Sequence, residues 1–307
     1  MCSHTDVLEP RCEHFALVYD GVDDLARRLA PHLLRAVAEA AAVLICIDDT
    51  AAARIRSDFG SLSDSFVFMP ATNRYQTPGV AMSALDKFVD DAMASGAPSA
   101  WSIGSLPIDG GCGHSGWMRY EEAVASVFAN RPLRAVCAYD AATTPIELWP
   151  SIRHSHQPVD GDRAALGADQ SLVSYDLCPP RAPDLVLADA PAQAVRDGID
   201  SLFGASPPSE RLADFRLVAS ELITNAFIHG ASPRGVRVWK DGSSCVLQVH
   251  DAGTSPIDVY ADFKPCAGGA EGGFGLWTVG QLSDAVHIAH DDLGNTVTAL
   301  IRLAGGH

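Results

Sequence analysis

Apolar positions along the chain fall into two patterns. In the first half, short apolar runs alternate with stretches of helical spacing. The runs are residues 14–19, 43–47, 66–69 and 134–139, and runs of this kind suit strands buried on both faces. Between the first two, Leu25, Leu29, Leu33, Leu34 and Val37 recur at helical intervals. They predict a helix over 23–41, capped by Asp23 or Asp24 and kinked at Pro31. Residues 82–93 and 120–128 read as further helices. Strand and helix in alternation predict an α/β unit, a mostly parallel sheet with helices on both faces.

From residue 151 to 183 the texture softens, with His154, His156, Pro158, Gly161, Gly167, Pro179, Pro180 and Pro183 breaking up a polar stretch. We place a first domain at 1–158, a linker at 159–171 and a second domain at 172–307, beginning with a strand near 172–177. The second half has helices over 192–203 and 210–229, then strands over 236–240 and 245–251 joined by the tight turn Asp241-Gly242. A glycine-rich loop to Gly275, a helix over 276–282 and strands over 285–290 and 296–303 finish it. Successive antiparallel strands with segregated helices predict an α+β sandwich, a mixed or antiparallel sheet with helices on one face.

Composition narrows the function. The 307 residues hold 38 acidic and 22 basic side chains, a net charge of −16, and the only lysines are Lys87, Lys240 and Lys264. Nucleic-acid and anionic-membrane binding need clustered cations, so neither is expected. No apolar run reaches membrane-span length, the first fifteen residues do not resemble a signal peptide, and the eight cysteines form no CxxC pair. These features suit reduced thiols in a cytoplasm, with Cys46, Cys137 and Cys245 as small core hydrophobes.

Candidate chemistry is concentrated in the second half. Glu221, Asn225 and His229 are four residues apart and form one stripe along a helix, with Leu217, Leu222, Ile223, Ala226 and Phe227 on faces that can bury. A carboxylate beside a carboxamide suits a hard dication such as Mg²⁺. Asp251 ends an apolar strand, where it can accept a hydrogen bond from an exocyclic amine, and Gly253 lets a flat base approach the backbone. The tract Gly268-Gly269-Ala270-Glu271-Gly272-Gly273-Phe274-Gly275-Leu276 leads into a helix, whose amide end can face phosphate.

In this order, the three features resemble the asparagine box and the two glycine boxes of the Bergerat ATP-binding fold, shared by gyrase, histidine kinases and MutL. The segment from Glu221 to Gly230 and the segment from Gly273 to Asp284 are most similar to bacterial anti-sigma factor serine kinases. The resemblance implies ATP and Mg²⁺ as cofactors. Asn225 would hold the metal, Glu221 would position or deprotonate the attacking group, and Asp251 would meet the adenine amine above Gly253. Gly273, Gly275 and Leu276 would line the phosphates under a lid over 256–272, and Thr296 would support the adenine contact. It further implies a serine/threonine protein kinase acting on an anti-sigma antagonist and binding a sigma factor. The same residues also fit a binding module that keeps nucleotide without transferring phosphate, and a two-component histidine kinase with His154 or His156 as acceptor.

The first half resembles the MEDS sensory domain in the segments 14–19, 134–140 and 151–158, although the tract Asp109–Gly116 departs from the acidic form expected there. That likeness implies a RecA-like α/β fold and a small-molecule ligand, and it leaves room for a homodimer. The same glycine tract lacks the Gly-Lys-Ser/Thr ending of a P-loop, so that reading is excluded. Cys2, His4, Cys12 and His14 have the residue types of a zinc site, and Cys112 with His114 raises the same idea.

Overall fold

The computed structural model describes residues 12–108, 114–156, 159–160, 176–204, 209–232, 234–264 and 274–303. Its two units are built on separate sheets, six-stranded in the N-terminal unit and five-stranded in the C-terminal one.

The first unit runs β1 (Glu13–Tyr19), α1 (Gly21–Ala38), β2 (Ala42–Cys46), α2 (Asp49–Phe59), β3 (Phe66–Phe68), α3 (Ala71–Arg74), α4 (Pro78–Ala94), β4 (Ala100–Gly104), α5 (His114–Val127), β5 (Leu133–Asp140), α6 (Trp149–Ser155) and β6 (Val159–Asp160). The sheet order is β3-β2-β4-β5-β1-β6 and all pairings are parallel, the α/β arrangement that the alternating pattern predicts. Along β1, Phe15, Leu17 and Tyr19 join Leu25, Leu29 and Ile55 in one apolar cluster. His14 points to the opposite face, with Cys137 and Tyr139 of β5.

Two details depart from the sequence reading. Asp20, rather than Asp23 or Asp24, holds the N-cap position of α1, and the Asp24 carboxylate accepts the Asp20 amide at 3.0 Å. Pro31 lies inside the helix, where the sequence places it. The helix α2 and the strand β4 went unpredicted. The buried side of α2 is mostly alanine (Ala51, Ala52, Ile55), and β4 interrupts its short apolar run with Ser102, so neither gives a strong periodic signal.

The second unit runs β7 (Leu185–Ala188), α7 (Ala192–Phe203), α8 (Glu210–Ile228), β8 (Arg234–Asp241), β9 (Ser244–Asp251), α9 (Gly275–Leu282), β10 (Ala285–Asp291) and β11 (Gly294–Arg302). The sheet is antiparallel throughout, in the order β10-β11-β9-β8-β7. Alternate strand residues Val236, Val238, Leu247, Val249, Val297 and Ile301 pack against Val195, Phe203, Phe215 and Leu222 of α7 and α8. Each fully buried side chain of this size contributes about 1.5–3 kcal/mol. On the other face Trp239, Val246, Ala285 and Leu300 form a smaller cluster with Leu177 and Cys178. Of the strand expected near 172–177, residues 172–175 lie outside the described set and 176–177 are not strand. The edge strand β7 stands later in the chain. Leu217 and Phe227, expected on burying faces of α8, are 45% and 39% exposed.

No helix among the described residues is long and apolar enough to cross a membrane.

Candidate functional site

The site is organised by α8. Ser209 caps its start by accepting the Leu212 amide, and an apolar face from Leu212 to Ala226 binds it to the sheet. That packing fixes the rotation of the helix, so the half-buried Glu221 and Asn225 turn together towards the start of α9. Gly275, the first residue of α9, lies against both. A β-carbon built there would stand 2.9 Å from Asn225 Nδ2 and 3.0 Å from Glu221 Oε2. Leu276 follows, partly buried against the main cluster of this unit.

The same helix reaches the strand end through its final turn. Gly230 follows the exposed C-cap residue His229, and a β-carbon on Gly230 would stand 2.5 Å from the Asp251 carboxyl carbon. Asp251 is buried, and its Oδ1 accepts the Gly253 amide at 2.8 Å, which folds the chain sharply after β9. Glu221, Asn225, Asp251, Gly253 and Gly275 therefore cluster around the C-terminal half of one helix. Gly273 lies outside the described residues.

Thr296 stands elsewhere. Antiparallel register pairs it with His250, and its hydroxyl meets His250 Nδ1 at 3.1 Å on the sheet face away from α8. The neighbouring residue takes the position beside the carboxylate, because Asn295 is the register partner of Asp251. Its side chain donates to the carbonyls of Gly253 and Ser255 and accepts the Ile257 amide, which pins the loop after Asp251. Sequence reading missed Asn295. The available signal was a carboxamide in an apolar strand, one residue from the threonine we singled out. Arg234, the other register partner of Asp251, was also missed; it caps α8 by donating to the Ala226 carbonyl.

In the described part of the expected lid, residues 256–264, turns run over 259–263. Ile257 and Ala261 pack against the core, and Phe263 is buried. Burial would raise the Asp258 carboxyl, but the Tyr260 amide and the Lys264 ammonium hold it below its ordinary value.

These residues fit a metal-bound nucleoside triphosphate. Glu221 and Asn225 offer the hard oxygen donors that a magnesium ion takes, and at Gly275 the start of α9 comes close enough to them that a β-carbon would crowd both. The buried Asp251 offers an acceptor at the strand end for an amino group.

The zinc reading at the N-terminus is revised. Cys2 and His4 lie outside the described residues, and His14 gathers with Glu121, Cys137 and His156 instead of Cys12. Cys137 is accordingly part of a polar group rather than a core hydrophobe, whereas Cys46 and Cys245 are fully buried. His156 is 1% exposed, which conflicts with a phosphate-accepting role, whereas His154 is exposed. His114 begins α5, and Cys112 lies outside the described residues.

Comparison with known proteins finds two family matches along the chain. Residues 13–157 match the methanogen/methylotroph DcmR sensory domain, MEDS. Residues 188–301 match the histidine kinase-like ATPase domain. No curated protein matches the chain. Among solved structures, a blue-light activated histidine kinase of Erythrobacter litoralis is similar, at 22% identity over 36% of this chain and 40% of that one, with a TM-score of 0.25. The two domain matches, falling on the two sheets described above, establish that the chain joins an N-terminal MEDS sensory domain to a C-terminal histidine kinase-like ATPase domain.

Proposed function

We propose that this protein is an ATP-dependent regulator of an anti-sigma pathway. Its C-terminal domain binds ATP with Mg²⁺, phosphorylates a serine or threonine of an anti-sigma antagonist and binds a sigma factor. Its N-terminal domain senses a small molecule and biases that choice. The observation that carries the reading is the convergence of Glu221, Asn225 and Gly275 beside α8, with Asp251 held at the end of the same helix by Gly230.

In this reading Asn225 holds the metal, Asp251 receives the adenine amine, and Gly253 leaves room for the base. Glu221 orients the attacking hydroxyl and accepts its proton. Phosphoryl transfer depends mainly on positioning and charge neutralisation. The small molecule has a place in a recess of the N-terminal domain lined by Tyr19, Ser105, Ala138, Asp140 and Thr143. These residues lie at or just beyond the carboxyl ends of β1, β4 and β5, where open parallel sheets take their ligands. A ligand there biases output only if it binds one state better than the other.

Titration calorimetry with Mg-ATP tests the site, and Asn225→Ala should abolish the binding heat. Unchanged affinity in that variant would remove the assignment. Labelled ATP and a candidate antagonist test the reaction. Acid-stable label on the antagonist supports the kinase, binding without transfer leaves a silent nucleotide module, and acid-labile label on the chain itself indicates a histidine kinase.

A further inference from the structure

The N-terminal unit holds a second chemical centre. His14 of β1, Glu121 of α5, Cys137 of β5 and His156, just after α6, each bring one possible ligand atom into one group, and all four atoms lie within 4.8 Å of one another. His14 Nε2 is 2.9 Å from Glu121 Oε2 and 3.3 Å from Cys137 Sγ. Cys137 Sγ is 3.2 Å from the same carboxylate oxygen, and so is His156 Nε2. The side chains of His14, Glu121 and His156 are 2%, 0% and 0% exposed, so water cannot compensate their polarity.

Hydrogen bonding sets the tautomer of His156. Its Nδ1 lies 2.7 Å from the Ile152 carbonyl, an acceptor only, so Nδ1 carries the proton. Nε2 is the ring nitrogen turned towards Glu121. It makes no hydrogen bond, yet it faces a carboxylate oxygen at 3.2 Å. A carboxylate oxygen and a ring nitrogen held that close inside a protein need a positive centre, which either a proton on the imidazole or a metal ion between them supplies. Glu121 is oriented in the same manner, since its other oxygen accepts the Tyr139 hydroxyl at 2.9 Å. An imidazole tied by its far nitrogen to a carbonyl, and a carboxylate tied by its far oxygen to a hydroxyl, are the outer contacts that orient metal ligands.

We propose that His14, Glu121, Cys137 and His156 bind one transition-metal dication, with Zn²⁺ the best match. Two imidazoles, a thiolate and a carboxylate are a borderline donor set with four members, which fits tetrahedral zinc and leaves no open position. Donor atoms around such an ion stand about 3.3–3.6 Å apart, given bonds of about 2.0–2.3 Å. The observed 2.9–3.3 Å contacts need only a few tenths of an ångström of expansion. Binding releases the Cys137 thiol proton to solvent. Because the ligands come from β1, α5, β5 and the end of α6, the ion clasps four elements of the sensory domain, and its binding free energy adds to the stability of that domain. The inference concerns the N-terminal unit alone and stands whether or not the ATPase assignment holds.

Full-length protein stripped with chelator and titrated with Co²⁺ provides the test. A stoichiometric thiolate-to-cobalt charge-transfer band, displaced by Zn²⁺, is expected. Cys137→Ser should lose the band, and Tyr139→Phe, which retains all four donors, should weaken Zn²⁺ binding about 10- to 100-fold. Absence of the band in the unmodified chain overturns the proposal, as does a band that survives in Cys137→Ser. If Cys137→Ser does not fold, the unmodified chain and Tyr139→Phe still decide, because Zn²⁺ affinity unchanged by Tyr139→Phe places the metal elsewhere.

Discussion

Gly275 lies so close to Asn225 that a β-carbon on the glycine would come within 2.9 Å of the carboxamide nitrogen. The start of α9 and the polar stripe of α8 thus share one small space, and the shortest residue makes that approach possible. Gly275→Ala should lower Mg-ATP affinity about 5- to 150-fold, from about 1–3 kcal/mol of overpacking. Calorimetry on the purified variant, with a melting curve to show that the fold persists, checks this. Wild-type affinity in the alanine variant would mean that the two elements separate easily.

The turn glycine next to the strand end is under a stricter constraint. Gly294 has φ +130°, and a β-carbon there would lie 2.0 Å from the Asp251 carbonyl oxygen. The obstacle is backbone, and the conformation is one that other residues rarely adopt. Gly294→Ala should cost about 2 kcal/mol or more, read as a lower urea midpoint. Gly242→Ala, in the other hairpin turn and with open space around it, should cost far less.

A buried carboxylate holds the beginning of α8 to the last two strands. Asp284 is 7% exposed, accepts Arg211 at 2.6 Å and Arg302 Nε at 2.9 Å, and also takes the Arg302 amide. Arg211 in turn donates to the carbonyls of Leu282 and Arg302. Asp284→Asn should destabilise the chain by about 2 kcal/mol. This is less than a fully buried pair would lose, because both guanidiniums reach water. Equilibrium unfolding of the variant checks the figure.

Alkaline pH should weaken the fold through Cys245. Burial pushes its thiol from the ordinary 9.0 up to about 12. The folded chain therefore keeps a proton that the unfolded chain gives up near pH 9. This contribution is intact below pH 9 and is lost as pH rises towards 12, by up to about 1.4 kcal/mol per pH unit for one thiol. Cys245→Val should lose less stability between pH 8 and pH 10 than the unmodified chain. Equal losses would assign the effect to other groups.

Local regularity made much of the architecture readable in the amino-acid order. Residues 192–203 place Val195, Ile199 and Phe203 on one side, and that spacing alone predicted the helix that forms. The apolar run along 245–251 predicted the strand that forms as β9. The four-residue spacing of Glu221 and Asn225 set them on one edge of α8 before any packing was known. These patterns repeat over distances shorter than one element, and backbone geometry alone enforces them. Tertiary structure decided the rest. Thr296 and Asn295 are adjacent in the chain, yet strand register alone puts Asn295 beside Asp251 and turns Thr296 to the other face. His14 and Cys137, 123 positions apart, meet because β1 and β5 pair in parallel, and Glu121 joins them from a helix packed across that sheet. No periodicity connects such positions. Their meeting depends on how the strands order and pair, a cooperative outcome of burying the whole apolar surface.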